Sequence, residues 1–294
     1  MTTPFVSVVI PVYNDAERLR ACLHRLENQT YPKSSYEVVV VDNNSTEDLK
    51  AVVAQFAQAR YAFEAQAGSY HARNTGIALA KGDILAFTDS DCCPTLNWVE
   101  RGVAQMQRHE GCGLVAGRIT FSFKDPQNPT PAELYDSLHF LQQEKYINAF
   151  HFGVTANLFT TPAVFEAVGL FNPALKSGGD REWGQRVYAA GYKQVYAEDV
   201  EISHPARSDL QELSRKLCRV YEGEFFIKNK LDLSPLRFLN EILADLKPPA
   251  SHLLGILSRR DIQHVGKRFL VVYIYMYLKL AKAMVNMRLY WSNS

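Results

Sequence analysis

Short β-branched runs, each ending in a polar turn-forming cluster and separated by stretches of helix length, constrain this chain more than any other feature. Val6 to Val12 ends at Tyr13, Asn14 and Asp15, and Glu37 to Val41 ends at Asp42, Asn43, Asn44 and Ser45. Ile84 to Thr88, a third apolar run, ends at Asp89, Ser90 and Asp91. Runs that are apolar on both faces belong in parallel strands covered on both sides. Between the first two, Leu19, Cys22, Leu23 and Leu26 recur at helical spacing with Asp15 as N-cap, which makes a βαβ unit. Thr46 to Arg60 predicts the next helix and Tyr70 to Ala80 another, with Ala72, Gly76, Ala78 and Ala80 small enough for close packing. The pattern predicts an α/β, Rossmann-like, mostly parallel sheet flanked by helices, with ligands beyond the carboxyl ends of the strands.

Further along, Gly113 to Phe123 reads as a strand and residues 125–131 as a proline- and asparagine-rich loop that can border an acceptor. Glu133 to Tyr146, Ala163 to Val168 and Asp180 to Ala190 read as helices, and Gln194 to Ala197 as strand. Beyond Pro205 the alternation stops and only helical patterns remain, so the reading divides the chain into a domain over 1–207 and a helical C-terminal extension over 208–294.

With 294 residues and 47% hydrophobic content, the chain can bury a full core. A net charge of +1 gives no general attraction for nucleic acid, which is not expected as a partner. The five cysteines show neither zinc-site spacing nor a disulfide framework, which points to a reducing cytoplasm. The adjacent Cys92 and Cys93 read as apolar thiols rather than reactive ones.

Two carboxylates flanking a small residue at a strand end, Asp89, Ser90 and Asp91, can hold Mg²⁺ or Mn²⁺, hard ions that bridge to phosphate oxygens. The same residues can also form a turn or cap. Asp42 can accept a hydrogen bond from a base imide or ribose, or close an Asx turn. Tyr13 can stack on a base or join the core. Arg73, beside a glycine-flanked helix start, can fork onto phosphate or face solvent.

Taken in order, Ser7 to Asn14, the Asp42 cluster, Ala72, Arg73, Asn74, Gly76 and the Asp89 triplet resemble the inverting family 2 glycosyltransferases of the GT-A fold. The resemblance covers roughly Val6 to Pro205. It implies that Pro11, Tyr13 and Asp42 meet the base, Arg73 the nucleotide, Asp89 the ribose or metal, and Asp91 the metal. His204 would lie near the diphosphate and metal. Asp180 falls at the catalytic-base position, with Gly179 where the family has a first acid and Glu182 as an alternative base. Thr155, Asn157 and Trp183 are placed with the donor sugar and acceptor. The implied donor is a nucleoside diphosphate sugar, a uridine form first, and the acceptor a glycan or lipid-linked hydroxyl in polysaccharide or glycoconjugate assembly. No Gln-x-x-Arg-Trp signature follows Asp180, so a single transfer per encounter is expected. A sugar nucleotidyltransferase is the competing enzyme, though Tyr13, Asn14 and Asp15 stand where its glycine-rich loop belongs; a degenerate nucleotide- or glycan-binding scaffold is the non-enzyme alternative.

No uninterrupted apolar stretch reaches the roughly 18 to 20 residues of a membrane span. Lys267 to Trp291 nevertheless pairs an apolar, aromatic stretch with Lys279, Lys282 and Arg288. That composition fits peripheral attachment at the inner face of the cytoplasmic membrane, or packing against the protein.

Overall fold

The computed structural model describes residues 3–228, 232–262 and 264–292. In chain order the elements are β1 (Val6–Val12), α1 (Ala16–Glu27), β2 (Tyr36–Asp42), α2 (Leu49–Val53), β3 (Ala59–Phe63), α3 (Ser69–Leu79), β4 (Ile84–Thr88), β5 (Cys93–Pro94), α4 (Trp98–Arg108) and β6 (Cys112–Ser122). There follow α5 (Pro131–His139), α6 (Gln143–Phe150), β7 (Asn157–Thr160), α7 (Pro162–Val168), α8 (Gly179–Ala189), β8 (Lys193–Pro205), α9 (Leu210–Ile227), α10 (Pro235–Leu246), α11 (Ala250–Leu257) and α12 (Val265–Ser292).

The strands form a mixed, mostly parallel sheet in the order β3-β2-β1-β4-β7-β6-β8-β5. β1 runs parallel to both β2 and β4, and all seven of its residues are buried, as expected of a strand covered on both faces. β7 is antiparallel to β4 and β6. The register pairs Val12 with Asp42 and Val9 with Phe87, so the polar ends of the central strands finish on one edge of the sheet. α3 lies close against this sheet because Gly76 has no Cβ; one there would strike the Val9 side chain.

Three expectations are corrected. The stretch over 46–60 is not one helix. Asp48 caps the short α2, its Oδ1 accepting from the Ala51 N–H at 3.0 Å, and the chain then turns into β3, which pairs parallel to β2. β3 ends the strand order and is only half-buried, so its residues carry little of the apolar signal that marks a central strand. The run 133–146 is two helices, parted where Leu141 adopts a left-handed φ of 55°. The strand expected to stop at Ala197 continues to Pro205 and carries His204 within it.

The chain forms two compact units. The first comprises residues up to Thr120 with Leu141–Leu175 and Gly179–His204; the second comprises Phe121–Phe140, Lys176–Gly178 and the residues from Pro205 on. The helical unit therefore takes segments from the middle of the chain as well as the tail beyond 207. Its core joins Tyr135 of α5 to Leu213 and Leu217 of α9 and Val271, Ile274 and Leu278 of α12. Thr130 and Glu133 form a reciprocal capping box at the start of α5.

In the first unit a polar knot centred on the fully buried Asn157 holds the middle of the sheet. Asn157 Oδ1 accepts from Trp98 Nε1 at 2.9 Å, and its Nδ2 donates to the carbonyls of Arg118 (2.8 Å) and Val200 (2.9 Å). One side chain thus ties β7 to α4, β6 and β8. Asn157→Ala leaves the buried Trp98 indole N–H without its partner and takes a donor from two carbonyls, and is expected to lower stability by about 2 kcal/mol or more. Denaturant unfolding of the two proteins checks the value.

Candidate active site

The carboxyl ends of β1, β2 and β4 carry most of the residues singled out above. Beyond β1, Tyr13 is 62% exposed, so its ring face is free for a planar ligand. Asn14 takes a positive φ of 46°; its Oδ1 accepts from the Thr46 N–H at 2.8 Å and its own N–H donates to Ser45 Oγ at 2.9 Å. Asn43 binds the carbonyls of Glu64 and Gln66 and accepts from the Gly68 N–H at 2.7 Å. These two asparagines stitch together the loops after β1 and β2 and the entry to α3.

Asp42 is 4% exposed and committed on both oxygens. Oδ1 accepts from the Ser45 N–H (2.9 Å) and Oδ2 from the Tyr61 hydroxyl (2.8 Å). Burial and then Asp42 push the Tyr61 hydroxyl up to about 12, so Tyr61 stays the donor. Pro11 is buried inside β1 opposite Val41, which makes it part of the sheet rather than of a surface cleft.

After β4 the chain turns sharply, and the Cys92 N–H closes the turn on the Asp89 carbonyl at 3.1 Å. Ser90 Oγ donates to Asp15 Oδ2 at 2.9 Å. Asp15, expected to cap α1 through its side chain, makes no such bond and holds this turn and Arg18 instead. The ligand atoms of Asp89, Asp91, Cys92 and His204 lie within 4.8 Å of one another. His204 Nε2 is 3.7 Å from Asp91 Oδ1, and Arg18 Nη1 is 3.9 Å from Asp91 Oδ2. Two carboxylates and an imidazole at this spacing suit an octahedral hard cation such as Mg²⁺ or Mn²⁺, so the donor set fits the ion expected from the sequence.

Arg73, 5% exposed on α3, donates through Nη2 to Asp89 Oδ1 at 2.6 Å, and its Nε has no hydrogen-bond partner. Asp180 opens α8. Its Oδ1 accepts from the Arg181 N–H (2.9 Å) and the Tyr70 hydroxyl (3.3 Å), and Oδ2 lies 3.4 Å from the Thr155 N–H. Burial raises the Asp180 carboxyl above its ordinary range; the Arg73 charge and these hydrogen bonds oppose the rise. Arg73 therefore acts electrostatically on both acids, and Tyr70, one helical turn before it, fixes the second.

Glu182 is paired in a fork with Arg186 at 2.8 and 3.1 Å. Trp183 is wholly buried, stacked on Phe165 at 4.6 Å with Nε1 bonded to the Gly169 carbonyl. Asn157, like Trp183, is fully buried, and both side chains are engaged inside the core. Thr155 is 3% exposed and meets Asp180 through its backbone. The sequence reading gave Tyr70, Asn14, Asn43 and Arg18 no role at the site. For Tyr70 the signal was its i, i+3 spacing to Arg73.

Residues 7–168, more than half of the chain, match the family model described as glycosyl transferase family 2. The chain belongs to glycosyl transferase family 2. Among family members it is 43% identical over 279 residues to glycosyltransferase AglE of Haloferax volcanii, covering 92% of this chain and 90% of the relative. It is 23% identical over 266 residues to a dolichyl N-acetyl-alpha-D-glucosaminyl phosphate 3-beta-D-2,3-diacetamido-2,3-dideoxy-beta-D-glucuronosyltransferase of Methanococcus voltae, covering 82% and 80%. Its fold resembles mannosyltransferase PcManGT of Pyrobaculum calidifontis, solved with GDP-Man and Mn²⁺, at TM-score 0.66 and 20% identity over 98% and 88% of the two chains. S. aureus TarS 1–349, solved with UDP, superposes at TM-score 0.58 and 18% identity over 96% and 90%. The architecture is GT-A, and the chain is a glycosyltransferase of glycan biosynthesis.

The raised Asp180 carboxyl carries a stability consequence whose sign is fixed. An acid whose native pKa lies above its unfolded value opposes folding at neutral pH, and this cost vanishes below the ordinary carboxylate value. Asp180→Asn is expected to melt at or above the wild-type temperature at pH 7, with the advantage shrinking to nothing as pH falls below that value. Thermal melts across the pH range read it directly.

Proposed function

We propose that this chain transfers a sugar with inversion from a nucleoside diphosphate sugar to an acceptor hydroxyl, with Asp180 as the general base and Asp89, Asp91 and His204 holding a divalent cation. The observation that carries this reading is the grouping of the Asp89, Asp91 and His204 donor atoms within 4.8 Å, with Arg73 joined to Asp89 and acting on the charge of Asp180. Bound Mg²⁺ or Mn²⁺ supplies charge neutralisation for a leaving diphosphate. The protein's own residues do the rest. Tyr13 offers an exposed ring to the base. Asp42 and the loops tied by Asn14 and Asn43 shape the nucleoside pocket. The Arg73 guanidinium adds positive charge, and its Nε is a donor for phosphate oxygen.

Asp180 takes the acceptor proton as the hydroxyl oxygen attacks the anomeric carbon from the face opposite the leaving group. Burial raises its basicity, while the Tyr70 hydroxyl and the Thr155 and Arg181 N–H groups orient its lone pairs. The fork with Arg186 favours Asp180 over Glu182 as base. The neighbours solved with GDP-Man and with UDP make the uridine and guanosine donors the first to screen.

The acceptor is proposed to be a glycan or lipid-linked hydroxyl at the inner membrane face, consistent with the dolichyl phosphate in the name of the Methanococcus relative. α12 has the length and composition of a span, although lysines interrupt its apolar run and part of it is buried. Phe269, Tyr273, Leu280, Met284 and Trp291 are exposed on it, as are Leu236, Leu239 and Leu243 on α10. Residues 235–294 hold nine Lys or Arg and three Asp or Glu, which favours an anionic surface. Of the cations expected at an interface, Lys282 pairs with Glu224 and Asp245, and Arg288 with Glu222, so these two serve the helical unit.

Two experiments test these readings. In a screen of nucleoside diphosphate sugars with Mn²⁺ or Mg²⁺, Asp91→Ala is expected to lose donor consumption about 100-fold or more. Asp180→Asn is expected to lose kcat about 100- to 10,000-fold while still binding nucleotide. Full turnover by Asp180→Asn removes it as the base, and absence of any donor turnover in the wild type favours the scaffold. In sedimentation with anionic vesicles, Leu280→Ser with Trp291→Ser is expected to weaken binding about tenfold or more. A wild type that stays in the supernatant ends the membrane reading.

A further inference from the structure

The donor group at the turn after β4 contains one member that oxygen-seeking cations do not need. Cys92 follows Asp91 directly, and the bond from its N–H to the Asp89 carbonyl folds residues 89–92 back on themselves, so both acids and the thiol crowd one side of the turn. Cys92 Sγ is 4.0 Å from Asp91 Oδ1, and no ligand atom of Asp89, Asp91, Cys92 and His204 is more than 4.8 Å from another. Metal bonds of about 2.0–2.3 Å place donors on opposite sides of one ion at most about 4.6 Å apart. Around one four-coordinate ion the donors stand about 3.3–3.8 Å apart, so a shared ion asks the widest pairs here to close by about 1 Å. Cys92 and His204 are 0% and 5% exposed, so the two softer donors stand on the dry side of the group.

We propose that Cys92 is a fourth donor of this centre, reserved for thiophilic ions, so that Zn²⁺ or Cd²⁺ binds through Asp89, Asp91, His204 and the Cys92 sulfur and shuts the site. The proposal rests on the reading of this group as a metal centre. Thiolate prefers soft and borderline ions, whereas Mg²⁺ and Mn²⁺ prefer carboxylate and water. With a hard ion the thiol keeps its proton, and coordination positions remain for diphosphate oxygens. With Zn²⁺ or Cd²⁺ the S–H bond breaks, its proton leaves to solvent, the sulfur electron pair bonds the ion, and one bound water departs. No redox change is involved. Four protein donors around such an ion make the closed set of a structural site, with no position left for a substrate oxygen.

The test is a Cd²⁺ titration of the full chain, followed by the ultraviolet sulfur-to-cadmium charge-transfer band, in wild type, Cys92→Ser and Cys93→Ser. The expected result is a saturable band in wild type and Cys93→Ser that is lost in Cys92→Ser. No band in the wild type, or a band that survives in Cys92→Ser, overturns the proposal. Should Cys92→Ser fail to fold, Mn²⁺ added to the cadmium-loaded wild type decides the matter: displacement of the band supports a shared centre, and indifference to Mn²⁺ overturns it. A separate Mn²⁺ titration by electron paramagnetic resonance keeps the two readings apart. Mn²⁺ bound without any cadmium–sulfur band sinks only the thiol; no Mn²⁺ bound by the wild type sinks the metal centre itself.

Discussion

Everything in the catalytic unit depends on β1 lying parallel between β2 and β4 in one register. A parallel strand brings its carboxyl end to the same edge as its neighbours, and that edge is where Tyr13, Asp42 and Asp89 leave the sheet. β1 is buried at every position, so a one-residue slip has no solvent-facing alternative and the register is fixed by packing on both faces. The close seat of α3 on β1, which Gly76 permits, then sets the height at which Arg73 reaches Asp89.

Arg73 is the electrostatic hinge of the site. A guanidinium buried to this degree is tolerated only with a charged partner, and Asp89 provides it at 2.6 Å. The same charge holds down the pKa of Asp180, which burial alone drives up. Arg73 thus meets the two acids differently: it pairs directly with Asp89 and acts on Asp180 through its charge alone. Tyr70 and Thr155 complete the arrangement from separate elements, so the Asp180 carboxylate is held by an α3 hydroxyl, a loop N–H and its own helix.

The acids were legible because their signal is local. Asp89, Ser90 and Asp91 follow an apolar strand, and Asp180 opens an amphipathic helix, so their neighbours in sequence are enough to place them at strand and helix ends. The burial of Asn157 and Trp183 was not legible, for the complementary reason. Polar and aromatic residues beside a site look like ligand contacts until burial is known, and here the Trp98 indole, two carbonyls and the aromatic core have already claimed them. β3 was read as helix because a strand at the end of the order, half-open to water, needs neither an unbroken apolar run nor strict alternation.

By itself the sequence determined the parallel α/β core, the order of its motifs and the chemical character of its edge, since each follows from periodicity and from residue types within a few positions. Only the tertiary structure decided which of those residues share a site. It brought His204 from the far end of β8 to Asp91, joined Tyr70 to Asp180 across 110 positions of chain, and withdrew Asn157 and Trp183 into the interior. It also drew residues 121–140 and 176–178 into the helical unit. The physical reason is that hydrogen bonds, ion pairs and desolvation act over a few ångströms of space, and the separation of residues along the chain does not determine that distance.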